Sequence, residues 1–276
     1  MSKYNQLSID RSAPGRWTVT FSNPPINILG LAAIDELRAL VKEAEEDDSL
    51  KIVVFRSGNP EFFIAHFETP NIGVSTEAGP VSYAPWIELV IHLSTAPFVS
   101  IAEIRGRTRG VGNEFILACD MRFASRERAI LGNPEVGMGL PPGGGALEWL
   151  PRLVGRSRAL EIALSGDDFD AETAERYGWI NRALDDDQLG PFVDRLAMRL
   201  ATFDREALGA IKARINRYGL PAEEELVSSN ELFFAALAWP GAKIRREKVR
   251  SFGYGVRGEF ELNFGRYLPL LGQPSG

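Results

Sequence analysis

The segment that most constrains the fold of this chain runs from residue 104 to residue 138. A mostly apolar, strand-like run leads into three closely spaced glycines, Gly106, Gly110 and Gly112, and an apolar, helix-like run follows at residues 115–118. A strand that passes through a glycine-rich turn into a helix directs backbone N–H groups and the positive end of the helix dipole to one point. That geometry can stabilise an anion, or an oxygen atom that gains negative charge during a reaction.

Two glutamates belong to the same segment. Glu114 falls in the first turn of the predicted helix, and Glu135 follows Asn133 and Pro134 after a short strand-like run. One general base and one general acid beside an anion-stabilising turn are what the addition of water to a double bond requires. The alternative is structural, because the dipole favours a glutamate at a helix N-terminus and carboxylates are common in turns.

The order of these residues resembles the enoyl-CoA hydratase/isomerase (crotonase) superfamily. The family motif has a glycine cluster followed by glutamate, then Cys-Asp-x-Arg-x-Ala, then Pro-Glu with later Gly, Pro and Gly-Gly. The matching positions here are Gly106, Gly110, Gly112, Glu114, Cys119, Asp120, Arg122, Ala124, Pro134, Glu135, Gly139, Pro142, Gly144 and Gly145. The resemblance is good from about residue 17 to residue 180, general in the helices that follow, and absent from the tail after Phe252.

Three features depart from the family motif. Arg105 stands where the family usually has asparagine, Arg107-Thr108-Arg109 replaces a small apolar segment, and Val111 replaces the middle glycine of a triplet. The arginines are interpreted either as a solvated charge run or as contacts with a phosphate or a substrate carboxylate. If the Arg109 side chain faces the pocket, it should favour an acyl group that carries a carboxylate or another polar group.

The resemblance also implies which groups bind the substrate. Residues 62–68 are similar to a family segment that supplies the first oxyanion-hole N–H and whose backbone meets the adenine end of coenzyme A. Carried over by position, the N–H groups of Phe67 and Val111 form the oxyanion hole. Contacts with the acyl-CoA are expected from Ala65, His66, Glu68, Arg109, Gly110 and Lys248. Lys248 belongs to a basic run whose alternative role is a solvated helix face.

Hydrophobic patterns elsewhere predict a mixed α/β fold. Residues 17–21 alternate like a half-buried strand, apolar residues recur at helical spacing over residues 31–44, and residues 51–55 form a nearly continuous apolar run typical of a buried parallel strand. With the resemblance, these patterns predict an α/β crotonase-like spiral of β-β-α units. We expect a core over residues 1–200 and a C-terminal helical region and tail over residues 201–276.

The segment from residue 69 to residue 85 is rich in Pro, Gly and Ser and has no clear periodicity. A loop of this length in a compact domain usually has a function or is mobile. In the family the matching region varies and lines the acyl pocket. Tyr83 and Trp86 are therefore either pocket walls or anchors that hold the loop to the core.

Composition argues against several classes of function. The net charge of −6 disfavours a general nucleic-acid binder. The single cysteine, Cys119, excludes an intrachain disulfide, and with only two histidines a metal site is not expected. The sequence has no apolar run of about 20 residues and no signal-peptide pattern, so we expect a cytoplasmic protein without a membrane partner.

The predicted function is hydration of a 2-enoyl-CoA thioester, a lyase reaction of the kind used in fatty acid metabolism. Glu114 would activate water, Glu135 would protonate the α-carbon, and no separate cofactor is expected because coenzyme A is part of the substrate. The alternatives are an isomerase or another enolate-forming acyl-CoA enzyme, including one that cleaves a C–C bond, and a non-catalytic binding protein of the same fold. The resemblance implies a homotrimer or homohexamer, consistent with the apolar residues Leu226, Leu232, Phe233, Phe234, Leu237 and Trp239.

Overall fold

The computed structural model describes residues 4–68 and 84–273 of the 276-residue chain. Strands and helices alternate as far as residue 138, in the order β1 (Leu7–Asp10), β2 (Arg16–Phe21), α1 (Leu31–Glu46), β3 (Ile52–Ser57), β4 (Phe62–Ile64), α2 (Pro85–Thr95), β5 (Val99–Ile104), β6 (Arg107–Arg109), α3 (Val111–Ala118), β7 (Met121–Ser125), β8 (Ile130–Gly132) and the 3-10 helix Pro134–Met138. The remainder is mainly helical, with α4 (Ala146–Val154), α5 (Arg156–Ser165), β9 (Phe169–Asp170), α6 (Ala171–Tyr177), β10 (Arg182–Leu184), α7 (Asp186–Ala201), α8 (Arg205–Gly219), α9 (Glu223–Ala236), α10 (Pro240–Ser251), α11 (Glu259–Leu262) and α12 (Phe264–Leu271).

Two sheets form the framework. The larger has the order β1-β2-β3-β5-β7-β10 and is parallel except for the β1–β2 pair. The smaller has the order β4-β6-β8-β9, and only β9 pairs antiparallel. Each turn of the chain places one strand in the larger sheet, one in the smaller sheet and then a helix, as in β3-β4-α2 and β5-β6-α3. The predicted spiral of β-β-α units is therefore confirmed.

Burial follows the predicted periodicities. In α1 the helically spaced residues Ile34, Leu37, Leu40, Val41 and Ala44 are buried, and the helix ends at the acidic run that begins at residue 45. The first four residues of β3 are buried on both faces, as the continuous apolar run predicted. A strand that is covered on both faces has apolar side chains on both, so its sequence does not alternate between polar and apolar residues.

The Cys-Asp-x-Arg motif closes the end of α3. The buried Arg122 guanidinium donates to the carbonyl oxygens of Cys119 and Ile116 at 2.7 and 3.3 Å. Asp120 accepts from the backbone N–H of Ser100 at 2.8 Å, which ties the helix end to β5. The last carbonyls of a helix have no partner within it, so the motif satisfies them with a side chain. This fixes the axis of α3, and with it the position of the helix N-terminus.

The C-terminal helices pack on the core at two places. Lys212 of α8 is buried, donates to the carbonyl oxygen of Phe98 at 2.9 Å and forms an ion pair with Asp120 at 2.8 Å. Helices α10 and α12 form an apolar cluster with Met138, the last residue of the 3-10 helix, and with Leu140, which follows it. The expected boundary between residues 200 and 201 falls at the end of α7, and the division into two regions stays a prediction. No helix within the described residues is both long and apolar enough to cross a bilayer.

Candidate active site

The glycine-rich turn between β6 and α3 is the centre of the site. Gly110 has φ 51° and ψ −121°, and its N–H donates to the carbonyl oxygen of Gly132 at 3.0 Å. As the first residue of α3, Val111 has an N–H with no acceptor in its own helix. A Cβ on Gly110 would lie 2.8 Å from Oε1 of Glu135, so only glycine lets this carboxyl group reach the turn. Gly112 likewise allows α3 to approach the backbone of Ile64 in β4.

Phe67 brings a second backbone donor to the same region. It forms an isolated parallel bridge with Leu29, in which the N–H of Leu29 donates to His66 and the N–H of Glu68 donates to Leu29, both at 3.0 Å. Successive N–H groups of an extended chain alternate in direction. The N–H of Phe67 is therefore directed away from Leu29, and its side chain lines the cavity described next.

One cavity, with about 580 Å³ of empty space, opens over the turn. Its walls come from the starts of α1, α2 and α3, from the 3-10 helix, from the loop before α4 and from α9. The lining residues are Leu31, Ile34, Phe67, Ala84, Pro85, Trp86, Val111, Glu114, Glu135, Gly143, Gly144, Asn230, Phe233 and Phe234. A mostly apolar wall with a few convergent polar groups is typical of a small-molecule site.

Glu114 is buried and held by the loop that precedes α4. Its Oε1 accepts from the N–H of Gly144 at 2.6 Å and of Ala146 at 3.3 Å. A Cβ on Gly144 would collide with the other carboxyl oxygen, which explains why the family motif has glycine there. Trp86 Nε1 donates to the carbonyl oxygen of Gly144 at 3.0 Å. Trp86 therefore lines the cavity and also ties the start of α2 to the loop before α4. Tyr83 lies outside the described residues.

Glu135 lies in the first turn of the 3-10 helix and is held by a chain of side chains. Trp179 Nε1 donates to Asn113 Oδ1 at 2.9 Å, and Asn113 Nδ2 donates to Asn133 Oδ1 at 2.7 Å. Asn133 Nδ2 in turn lies 3.4 Å from Oε2 of Glu135. This chain fixes the orientation of both amides, because each carbonyl oxygen is used and each NH₂ faces an acceptor.

Burial raises the pKa of both carboxyl groups. For Glu114 burial is the largest cause, and the negative charge of Glu135 raises its pKa further, against the N–H groups of Gly144 and Ala146. Burial likewise raises the pKa of Glu135, against the hydrogen bond from Asn133. Because the charge of Glu135 opposes ionisation of Glu114, the two carboxyl groups do not titrate independently. The pair can therefore present one acid and one base to the same substrate.

The arginines of β6 and its flank are internal structural ties. Arg109 is 0% exposed and binds both carboxyl oxygens of Asp168 at 2.6 and 2.8 Å. Arg107 donates to the carbonyl oxygen of Leu262 at 2.7 Å, and Arg105 pairs with Glu103 and Asp186. Arg109 therefore does not face the cavity, so the condition under which it would select a polar acyl group is not met, and the expected contact of its side chain with the acyl-CoA is wrong. Its buried guanidinium is bound by Asp168 and by the carbonyl oxygen of Glu261, as a buried charge requires.

The His66 side chain is also buried and makes its polar contacts inside the protein. Its Nε2 lies 2.9 Å from Glu261 Oε1 and its Nδ1 lies 3.0 Å from the carbonyl oxygen of Phe67. The prediction that His66 contacts the acyl-CoA is therefore wrong for its side chain, which is buried against these partners. Gly110 lies beneath Glu135 rather than in the cavity wall.

The remaining predicted contacts lie away from the cavity. Ala65 is fully buried, Glu68 packs against Gly30, and neither lines the cavity. Lys248 donates to the carbonyl oxygens of Leu270 and Gln273, in a separate groove between α10 and α12. A role for the backbone of residues 65–68 or for Lys248 in binding coenzyme A stays a prediction. Within the described part of the chain, no group of three or more His, Cys, Asp and Glu side chains could hold a metal ion.

The sequence did not reveal the contribution of α9. Asn230, Phe233 and Phe234 line the cavity, and Asn230 Nδ2 donates to the carbonyl oxygen of Gly143 at 2.8 Å. From the sequence, both phenylalanines are predicted to belong to an intersubunit surface. An apolar helix face looks the same in a sequence whether it covers a cavity or a neighbouring subunit. Only the path of the chain after α8 distinguishes the two.

A β-β-α spiral whose glycine turn meets a buried and a half-buried glutamate in one cavity defines a crotonase-fold protein. A family model for enoyl-CoA hydratase/isomerase matches residues 15–238, and the chain belongs to this family. Members of the family are typically enzymes that bind acyl-CoA substrates.

Solved structures agree with this assignment. A Streptomyces avermitilis protein, provisionally named an enoyl-CoA hydratase, is 40% identical with a TM-score of 0.91, over 100% of this chain and 99% of that one. Pseudomonas aeruginosa DspI is 27% identical with a TM-score of 0.71, over 86% and 97% of the two chains. An enoyl-CoA hydratase from Mycobacterium avium subsp. paratuberculosis shares the fold at 23% identity and a TM-score of 0.79, over 90% and 96%.

Proposed function

We propose that this protein adds water across the double bond of a 2-enoyl-CoA thioester. The observation that carries the proposal is that Glu114 and Glu135 line one cavity with Val111, the first residue of α3. In the reaction the water oxygen bonds to the β-carbon, one water proton passes to a carboxylate, and the α-carbon receives a proton from the other carboxyl group. The product is a 3-hydroxyacyl-CoA.

The backbone N–H groups of Phe67 and Val111 hold the thioester oxygen. Attack at the β-carbon moves negative charge onto this oxygen, and the positive end of α3 lies beside it. Losing one such donor typically costs about 2.7–4 kcal/mol of transition-state stabilisation. A backbone donor keeps its function with any side chain except proline, which is compatible with phenylalanine at position 67 and valine at position 111.

Glu114 is the base and Glu135 the acid. The N–H groups of Gly144 and Ala146 support the ionised form of Glu114. The pKa of Glu114 is the more strongly raised of the two, so these roles require the proton to lie on Glu135 when the substrate is bound; the charge of Glu135 then no longer opposes ionisation of Glu114. During the addition Glu114 gains a proton from water and Glu135 gives its proton to the substrate. Transfer of a proton from Glu114 back to Glu135 restores both groups for the next turnover.

The acyl group is apolar. Among the described residues, the side chains of the cavity wall other than the two glutamates and Asn230 are aliphatic or aromatic. Arg109, which directly precedes the glycine turn, is paired with Asp168 and does not line the cavity. An acyl carboxylate would therefore enter without a partner, which is unfavourable in a dry site.

We further infer a cytoplasmic homotrimer or dimer of trimers. The inference on assembly is supported by apolar residues left exposed on α8, namely Ile211, Ile215 and Tyr218. Their spacing of four and three residues places them on one face of the helix.

The proposal is tested by turnover of crotonyl-CoA and longer 2-enoyl-CoAs, followed as loss of the conjugated thioester absorbance. We expect hydration, with no need for added metal or cofactor. A 3-enoyl-CoA offered in parallel separates the alternatives, because its conversion without any hydration would identify an isomerase instead. Binding of acyl-CoA with no turnover of either substrate would contradict the proposal and favour a non-catalytic member of the fold.

A further inference from the structure

The tail after residue 252 lies beyond the residues that match the family model, which end at 238. It is nevertheless part of the interior. Phe260, Glu261, Phe264 and Leu268 of α11 and α12 are buried, and the Glu261 side chain is 0% exposed. A fully buried carboxylate needs specific partners, because transfer of an unpaired charge from water is strongly unfavourable.

Glu261 contacts the segments that precede both proposed oxyanion donors. Its carboxylate lies 2.9 and 3.0 Å from His66 Nε2, and His66 is the residue immediately before Phe67. Its carbonyl oxygen accepts from Nη1 of Arg109 at 2.7 Å, and Arg109 lies two residues before Val111. The N–H of Gly255 also donates to the carboxylate at 2.7 Å. One residue of the tail therefore joins the two segments that carry the proposed oxyanion donors.

Tyr254 completes the contact with the first strand. Its ring stacks on the His66 imidazole with centroids 4.1 Å apart, and its hydroxyl donates to the carbonyl oxygen of Phe67 at 2.8 Å. His66 Nδ1 lies 3.0 Å from the same oxygen. Both ring nitrogens of His66 therefore face an oxygen atom within hydrogen-bond distance. The carbonyl group of Phe67 is thus held from two sides by the tail and by His66.

Two carboxylates of this region have specific partners: Asp168 binds Arg109, and Glu261 contacts the His66 ring and the N–H of Gly255. Burial favours the neutral acid of Glu261, but His66, the N–H of Gly255 and Arg109 outweigh it and lower the pKa of this carboxyl group. Buried charge networks contribute little net stability against an apolar replacement, but a network with every partner in place permits one arrangement only.

We propose that residues 254–264, the tail strap, position the two oxyanion N–H groups, with Tyr254 and Glu261 as the positioning residues. The inference rests on the proposed function in taking Phe67 and Val111 as the donors. Neither Tyr254 nor Glu261 lines the cavity, so they act through the backbone of Phe67 and through Arg109. A shift of about 1 Å in a group that contacts the reacting atoms can lower a rate about 100-fold.

The test uses a saturated acyl-CoA, butyryl-CoA labelled with ¹³C at the thioester carbonyl, bound to the full-length protein. Its isotope-edited infrared stretch reports the strength of the hydrogen bonds on the thioester oxygen, without any reaction. We expect a lower frequency on the wild type than in solution, and a partial return to the solution value in Tyr254→Phe and Glu261→Gln. The matched control is Tyr267→Phe, which removes a tyrosine hydroxyl from the same tail, on α12, where the ring packs against Phe252 and Phe260.

Turnover of crotonyl-CoA gives the second readout. The two strap variants should lower kcat by about 10–100-fold, the range expected of a misplaced donor, and leave KM nearly unchanged because the cavity wall is intact. Tyr254→Phe removes one oxygen atom, so it keeps the test decisive if Glu261→Gln does not fold. The proposal is overturned if Tyr254→Phe shows the wild-type frequency, or if the wild type neither binds butyryl-CoA nor shifts its carbonyl stretch. If the protein binds and polarises the thioester but hydrates nothing, the hydratase assignment fails while the strap is still judged by the infrared shift.

Discussion

Glu114 and Glu135 share a cavity but are held by different parts of the chain. Backbone N–H groups of the loop before α4 hold Glu114, whereas a chain of two asparagines holds Glu135. Burial raises the pKa of both carboxyl groups, and for Glu114 the charge of Glu135 adds to this effect. The native state therefore binds protons at these sites more tightly than the unfolded chain does, at a cost to stability when both groups ionise.

This predicts a pH-dependent gain in stability for Glu114→Gln. The wild-type contribution of Glu114 is fully present below the ordinary carboxyl pKa of 4.5 and is lost as pH rises through the raised folded-state value. Each unit of raised pKa corresponds to about 1.4 kcal/mol. Thermal unfolding should therefore show little or no gain for Glu114→Gln near pH 4.5 and a higher Tm than wild type at alkaline pH. A constant difference in Tm across this range would show that Glu114 does not titrate as a buried group.

The turn between β6 and α3 requires glycine at position 110 for two reasons. Gly110 adopts a positive φ of 51°, and its missing side chain leaves room for the Glu135 carboxyl group. Both properties follow from glycine alone, which is why this element could be predicted from sequence. The side chains that flank it could not be predicted in the same way. The direction of Arg109 depends on Asp168, and that of His66 on Glu261, which are 59 and 195 residues away along the chain.

Gly110→Ala tests this element. A Cβ at this position would meet Glu135 Oε1 at 2.8 Å, and a residue held in a sparsely populated backbone region costs about 1–3 kcal/mol. We expect a lower free energy of unfolding, measured in urea, and a loss of crotonyl-CoA hydration of about 100-fold from the displaced carboxyl group. Gly219→Ala is the matched control, because a Cβ at the end of α8 has nothing within 4 Å. Equal behaviour of the two variants would contradict the assigned role of the turn.

The core and the C-terminal helices differ in how much of their structure could be predicted from the sequence. The β-β-α spiral follows from glycine turns and from periodicities that each element carries by itself. The use of α9 as a cavity wall and of the tail as an internal strap depends on long-range packing, which no local pattern encodes. The apolar residues of the C-terminal helices that were predicted to form an intersubunit surface therefore fall into two groups. Leu226 and Leu237 are buried within the chain, whereas Leu232, Phe234 and Trp239 are partly exposed.

Assembly can be tested on the exposed face of α8. Ile211, Ile215 and Tyr218 are 60%, 64% and 92% exposed, and contiguous apolar patches of this kind mark association surfaces. Light scattering at micromolar concentration should give three or six times the chain mass of 30.4 kDa for the wild type. Ile215→Asp should lower this mass, while Leu164→Asp, at a similarly exposed position on α5, should not. A wild type that is monomeric at this concentration would exclude the assembly.

The central claim is that Glu114 and Glu135 together add water to an enoyl-CoA. The most direct measurement is kcat for crotonyl-CoA hydration by Glu114→Gln, Glu135→Gln and the double variant, with Glu148→Gln as control. Glu148 is a buried glutamate on α4 that does not line the cavity. Each single active-site variant should lose about 10²–10⁴ in kcat, the usual span for general acid–base catalysis, and should still bind coenzyme A thioesters. The double variant should lose far less than the product of the two single losses, because the carboxyl groups act as a unit. Hydration at a near wild-type rate by either single variant, with Glu148→Gln equally active, would contradict the mechanism.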